Sequence, residues 1–551
     1  MTRTTWIQLI FATAVAVVGT VLGWRALWFL TDDAFIAFRY VSNGQLGHGY
    51  TWNPPPFLPV EGYTSFLWVW LLDGLWSLTG VEPPRSANLL ALICTLGSVL
   101  ICATAVQRLW LAGRRAAPLG LVAGLTLALL ASNTSFLTWA SSGLETALFD
   151  LLLLGWVLGL AALASRRAWL PGVALLAALL ELCRPDGLLF AGATLLLPPL
   201  LWWTGRRGLR TVLRDLVGML PLLIIPAHLL WRHGAYGEWL PNTYYAKVVE
   251  PWPAAGWRYL LSFVLEYALW LWVPLLLAVP LRRLWAPGSA RDTGGGRRSG
   301  AWLMALALGA VAAHVGYYAL VVGGDHFEYR VLAHTVPLLA LAFAWAVVRL
   351  ELRALPTLLV GTGLLAATNL LPWSLWWHSR DATTRGQTHM LVVPLATRLP
   401  GPIASYARGW DGLQRWLVDH YVCIRRQEHM VFQQFQATTL PSREQGALAF
   451  SGVDNPVISS PTVGMLGWVY PHAAIIDILG LNDWVVARTP MTHDRGRVMA
   501  HDREPPPGYM GEFSPVLYTR EGKLHFSERS APLTDEQIMD IEARWRAQVR
   551  P

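Results

Sequence analysis

Two adjacent carboxylates, Asp32 and Asp33, follow directly on an apolar run that ends at Leu30. They open a stretch, residues 31–65, that also carries Arg39, Asn43, Gly47, Gly49, Asn53, Glu61, Tyr63, Thr64 and Ser65. Charges at a bilayer boundary are costly unless they face water or a partner, so such a cluster marks a candidate site. For the pair alone, an acidic cap on a helix end is the competing reading. The length of the stretch argues further: loops beyond about 15 residues without regular structure are functional or disordered. This one has too many aromatic residues for disorder. A carboxylate placed there can take a proton from an acceptor hydroxyl. Cationic side chains beside it can hold a phosphate.

The elements that must position these groups follow from composition. The chain has 551 residues, 54% hydrophobic and 14% charged, with a mean hydropathy of +0.39. Those values describe a polytopic α-helical membrane protein. The net charge of +8 is almost all arginine, the only lysines being Lys247 and Lys523. In a membrane protein that excess belongs to cytoplasmic loops, and nucleic-acid binding is not indicated. Cys94, Cys102, Cys183 and Cys423 show neither a disulfide framework nor metal-ligand spacing. The basic head and apolar core of residues 1–29 continue without a small-residue cleavage site and are expected to form an uncleaved first span.

Apolar runs recur at about 6–29, 66–81, 88–107, 117–133, 144–164, 168–182, 187–203, 212–231, 257–281, 301–323, 331–349 and 355–377. If 66–81 does not cross and the N-terminus lies inside, the arginine clusters at 108–115, 166–167, 206–210, 282–298 and 349–353 all fall on the inner side. Residues 66–81 are short and contain Asp73 and Gly74, which suits a re-entrant or interfacial helix. About eleven spans are therefore expected. A transmembrane module over residues 1–378 would carry a first outer loop at 31–87. Residues 379–551, richer in charge and proline, are expected to be an extracytoplasmic α/β domain. In it, 403–436 has helical spacing, and 447–451, 462–469 and 473–479 read as strands.

This topology sends the polar motifs to the outer side. They are the acidic stretch; Ser141 to Glu145; Cys183 to Gly187, with Arg184 and Asp186; Gly237 to Trp252, with Tyr244 and Lys247; and Gly323 to Arg330, with Asp325 and His326. Each alone is an ordinary turn or helix end. Together they describe a cavity at the membrane–water boundary. Asp32 and Asp33 are the candidate catalytic pair. Arg39, Asn43, Glu61, Tyr63, Thr64, Glu145, Arg184, Asp186, Tyr244, Lys247, Asp325, His326 and Arg330 are candidate donor or acceptor contacts. No P-loop and no H-E-x-x-H pattern is present. Metal ligands are not identified, and no cofactor is certain, although an acidic pair beside a phosphate leaves room for a divalent cation. Transfer of a sugar from a lipid-anchored phosphate suits these groups, because the leaving phosphate needs charge neutralisation and the acceptor needs a base.

The pattern Asp32-Asp33-x-x-Ile36-x-x-Arg39-x-x-x-Asn43, then Gly47-x-Gly49-x-x-x-Asn53, Val60-Glu61-x-x-Thr64-Ser65 and later Ser142-Gly143-Leu144-Glu145 resembles the GT-C class of membrane glycosyltransferases. It is most similar to the terminal β-(1→2) arabinofuranosyltransferases of actinobacterial cell walls. The resemblance covers the membrane half and, more loosely, the tail through Ile475 to Asp483. It implies a polyprenyl-phosphate sugar donor, an extracytoplasmic glycan or lipid-linked acceptor, and a first-loop aspartate as base, Asp32 ahead of Asp33. It also implies a multi-pass protein of the cell membrane with its site outside. The alternative class is a transporter or flippase of a lipid-linked or polar solute, which needs polar groups at mid-membrane depth.

Overall fold

The computed structural model describes residues 2–205, 209–247, 250–285, 295–388, 400–491, 496–520, 523–527 and 533–549. Among them, seven helices are long and apolar enough to cross a membrane: Arg3–Ala26, Pro83–Ala112, Thr146–Leu163, Pro185–Trp203, Gly300–Val322, Arg330–Leu350 and Ala354–Ser379. Two bent pairs bring the number to nine. Arg210–Gly218 meets Leu220–Tyr236 at 44°, and Pro253–Glu266 meets Leu269–Arg282 at 68°. The expected eleven would also need Leu119–Ala131 and Leu170–Cys183. These have 13 and 14 residues, about 20 Å of helix at about 1.5 Å per residue, against a hydrocarbon core of about 30 Å. The chain is thus a polytopic α-helical membrane protein.

The segment expected not to cross is a short helix, Phe66–Thr79, closed by Gly80 in the left-handed conformation. Before it comes Asp32–Gln45, which opens with a Thr31 side-chain cap on the Asp33 N–H and with two acids in its first turn. Both features favour a helix start, the second by charge against the helix dipole. The chain then folds back through Gly47 and Gly49, both at positive φ. The Asn43 amide donates to the Thr51 and Trp52 carbonyls at 2.7 and 3.0 Å and holds the returning strand of chain in place.

The C-terminal unit lies on this loop. Two helices, Gly401–Asp419 and Arg426–Thr439, fall where helical spacing predicted them. They precede a four-stranded sheet of order β2-β1-β3-β4, with β1 Val457–Ser460, β2 Ala474–Asp477, β3 Leu517–Arg520 and β4 Lys523–Phe526. β1 pairs in parallel with β2 (Val457↔Ala474) and with β3 (Ile458↔Leu517), and β3 pairs antiparallel with β4 (Leu517↔Phe526). Of the three expected strands, only 473–479 contains one. Residues 447–451 are a helix end and a turn, and 462–469 holds the helix Gly464–Val469, all of it buried. A short, wholly buried run shows neither period, so composition alone does not separate strand from helix there.

The Gly464–Val469 helix packs against Asp32–Gln45, and its glycines permit the approach. A Cβ on Gly464 would stand 1.9 Å from the Asp32 carbonyl oxygen, and one on Gly467 would stand 2.6 Å from Arg39 Cδ. The Gly323–Arg330 loop is pinned to the same unit. Cys423 N–H donates to Asp325 O, Ile424 N–H to His326 O, and Glu328 N–H to Ile424 O, at 2.7–3.1 Å. Beneath them, buried Arg425 pairs with Glu266 at 2.8 Å and Glu328 at 3.0 Å.

Candidate active site

A cavity of about 110 Å³ opens where the acidic stretch, the Gly323–Arg330 loop and the C-terminal unit meet. Four of the residues expected from sequence line it: Asp32, Asp33, Lys247 and His326. The C-terminal unit adds Glu428, His429, Asp477 and His501, and Arg385 stands at its edge.

The two aspartates have different surroundings. The Asp32 carboxylate accepts from Met465 N–H at 2.9 Å, Gly464 N–H at 3.1 Å and Gln436 Nε2 at 3.0 Å. It caps the Gly464–Val469 helix. Burial pushes its carboxyl up, the neighbouring Asp33 adds to this, and the three donors pull it back. Asp33 uses only its backbone N–H, bonded to Thr31 Oγ1. Among the described residues its carboxylate has no hydrogen-bond or ion-pair partner. Asp33 lines the cavity with its carboxylate lone pairs uncommitted among the described residues.

Lys247 is the last residue of the Asn242–Lys247 helix, which is anchored by the Asn242 amide on the Gly480 and Asp483 carbonyls at 2.9 and 3.0 Å. Its ammonium has no ion pair among the described residues. Arg385, by contrast, is paired with Glu428 at 2.7 Å. Asp477 accepts from Leu479 N–H, Asn482 N–H and Asn482 Nδ2 at 2.9–3.0 Å. It holds a turn in the cavity wall, and burial pushes it up to about 6.

A second cluster forms behind Arg330. Arg330 pairs with Asp325 at 2.8 Å and lies over the Phe327 ring at 4.5 Å. It is in electrostatic reach of His429 on one side and of Arg184 and Glu145 on the other. Arg184 pairs with Asp186 at 3.2 Å and Glu145 at 3.7 Å, and donates to Tyr318 Oη at 2.8 Å. Asp186 in turn accepts from Tyr318 Oη at 2.8 Å and meets His314 Nε2 at 2.8 Å. These groups satisfy one another and lie outside the cavity lining.

The remaining expected contacts lie elsewhere. Buried Arg39 donates to the Trp52, Gly467 and Ala473 carbonyls at 2.7–2.8 Å, with Trp52 beneath it at 4.8 Å. It fastens the loop to the C-terminal unit, as Asn43 fastens the loop to itself. Glu61 is buried against Arg232 at 2.6 Å. Tyr63 Oη meets Tyr236 Oη at 3.3 Å. Thr64 is half-buried in the same loop, and Tyr244 is exposed. None of these six lines the cavity. Among the described residues no three His, Cys, Asp or Glu side chains converge closely enough to hold a metal ion.

Sequence reasoning passed over His429, Glu428 and His501. One signal existed: His429, Phe432 and Gln436 recur at helical spacing on one face of Arg426–Thr439. That face meets the cavity and Asp32.

No protein-family model matches the chain. A terminal β-(1→2)-arabinofuranosyltransferase of Mycobacterium tuberculosis (strain ATCC 25618 / H37Rv) is 32% identical over 278 residues. That alignment covers 49% of this chain and 42% of the relative, so less than half of the relative's length is matched. ArnT from Cupriavidus metallidurans bound to undecaprenyl phosphate aligns at a TM-score of 0.48 and 15% identity, over 86% of each chain. Its apo form aligns at 0.47 and 14%, over 87% of this chain and 86% of that one.

Proposed function

We propose that this protein is an inverting membrane glycosyltransferase that moves a sugar, arabinofuranose or a close relative, from a polyprenyl-phosphate donor to an extracytoplasmic glycan. The likeness to an arabinofuranosyltransferase supports the class. The observation that carries the chemistry is a carboxylate, Asp33, without a partner among the described residues, sharing one cavity with an ammonium, Lys247, without an ion pair among them.

In this reading the acceptor hydroxyl oxygen attacks the anomeric carbon and its proton passes to Asp33. The bond from that carbon to the phosphate oxygen breaks, and polyprenyl phosphate leaves with the electron pair. Lys247 neutralises the leaving group, and Asp32 holds the helix that closes the site. Attack and departure on opposite faces invert the anomeric centre. This reading takes Asp33 as the base because its carboxylate is uncommitted, whereas the family resemblance favours Asp32. The transport alternative gains nothing from Arg184, Asp186 and Glu145, whose side chains are 8%, 6% and 7% exposed and closed over by one another.

The test is reconstitution of the purified protein in liposomes with a panel of polyprenyl-phosphate sugars and oligosaccharide acceptors. Extension of an acceptor by one residue with inverted linkage is expected. Translocation of a solute without any extension would overturn the proposal.

A further inference from the structure

Three imidazoles meet at the cavity: His326 from the Gly323–Arg330 loop, His429 from the Arg426–Thr439 helix and His501 from a C-terminal loop. The His326 ring centroid lies 5.5 Å from that of His429 and 5.2 Å from that of His501. Each ring spends one nitrogen on the backbone. His326 Nδ1 is 2.9 Å from Tyr421 O, and His501 Nδ1 is 2.7 Å from Met499 O. His429 is hydrogen-bonded to the backbone of Ile424. A carbonyl oxygen only accepts, so the nitrogen facing it carries the proton. His429 Nε2 is buried and has no partner.

The rings are also neutral at neutral pH. Burial lowers all three; His501, His429 and Lys247 lower His326 further, and at His501 burial, with Lys247, outweighs the upward pull of the Met499 hydrogen bond, Asp33 and Asp502. His429 is pushed down to about 3, with Arg330 and Arg385 adding to the effect. A neutral imidazole whose Nδ1–H is already spent has one acceptor lone pair on Nε2 and no donor left. A phosphate oxygen, itself only an acceptor, cannot bond to such a wall. A hydroxyl can.

Resting on the transferase reading above, we infer that His326, His429 and His501 form a hydroxyl-reading wall that receives the sugar, opposite Lys247, which receives the phosphate. The wall orients the sugar and discriminates a hydroxylated sugar from its deoxy analogue, because a missing hydroxyl leaves a buried Nε2 unpaired. A metal ion is the other ligand that free Nε2 lone pairs attract. Lys247 and Arg385 in the same lining, and the lack of convergence noted above, disfavour a dication.

The test is binding of undecaprenyl phosphate and of undecaprenyl-phosphoryl pentoses to the full-length protein in phosphatidylethanolamine–phosphatidylglycerol nanodiscs. The wild type should prefer the sugar-bearing lipids. His429→Asn, whose amide reaches only the Nδ1 position, should bind them about five-fold more weakly, the size of one neutral hydrogen bond. His429→Gln, whose amide oxygen can occupy the Nε2 position, should stay within about two-fold. Both should bind bare undecaprenyl phosphate like the wild type, which also reports on folding. Equal losses on both lipids, or equal behaviour of Asn and Gln, would make the ring a packing group and overturn the inference. So would a Zn²⁺-dependent gain in thermal stability that His429→Gln abolishes. If the wild type shows the preference and His429→Asn keeps it, this inference fails and the transferase reading stands. If the wild type prefers no sugar-bearing lipid, the transferase reading itself fails.

Discussion

Replacing each aspartate of the pair by asparagine separates their roles, because the two side chains have unlike surroundings. Asp32 bonds Met465 N–H through one carboxylate oxygen and Gly464 N–H through the other. An asparagine has one oxygen, so one of those backbone donors must face an amide NH₂. A hydrogen bond to a charged group is worth about 1.5–3 kcal/mol, and a stranded buried donor costs about 1–3 kcal/mol. Asp32→Asn should therefore destabilise the folded protein by about 2–3 kcal/mol and loosen the Gly464–Val469 helix. Asp33 has no such partner, so Asp33→Asn should change stability by no more than about 0.5 kcal/mol. On the proposed reading it removes the proton acceptor, however, and turnover should fall by about 10²–10⁴. The assay is acceptor extension in proteoliposomes at matched folded protein, alongside thermal unfolding of the same samples. Near-normal turnover in Asp33→Asn would refute the assignment. Loss of turnover in Asp32→Asn at unchanged stability would move the base to Asp32, as the family resemblance implies.

On the proposed reading Lys247 contacts the donor phosphate, so Lys247→Ala should weaken donor use about ten-fold or more; unchanged donor kinetics would take Lys247 out of the site. Asp477 gives a pH test. Its carboxyl is raised from 3.8 to about 6 by burial, so between those values the folded protein keeps a proton that the unfolded chain has released. Stability from this group is full below about pH 4 and lost as pH rises through 6, a change of about 3 kcal/mol. Asp477→Asn, which cannot ionise, should therefore gain on the wild type by that amount between pH 4 and 7, and an equal stability gap at both pH values would refute it.

Much of the membrane half was legible in the chain. The run at 66–81 is a short helix, Phe66–Thr79, of the same class as Leu119–Ala131 and Leu170–Cys183, which were expected to cross, so only the arginine pattern separates it from them. The stretch 31–65 reads in the chain as a loop, yet its first part forms the helix Asp32–Gln45, capped by Thr31 and opened by the two acids. The motif residues divide on grounds that sequence does not carry. Arg39 and Asn43 look like ligand contacts by type, yet their partners are carbonyls, which have no side-chain signature. Asp32 finds its donors at Gly464 and Met465, more than 400 residues away. His429 and His501 stand alone among ordinary polar neighbours, and only the fold brings them to His326. The strand assignment at 462–469 failed because a buried run of that length has no water-facing side to reveal its period.

The clamp made by Arg39 also has a consequence in time. Its guanidinium reaches Ala473, 434 positions further along the chain. At a synthesis rate of about 5–20 residues per second, roughly 20–90 s separate the making of the two halves of that contact. During that interval the acidic helix stands without the Gly464–Val469 helix that Asp32 caps, and His501 has yet to be made. On the proposed reading, activity therefore waits until the last quarter of the chain has been delivered and folded. On the same reading, a chain cut short before residue 463 would lack the helix that Asp32 caps and would be inactive rather than partly active.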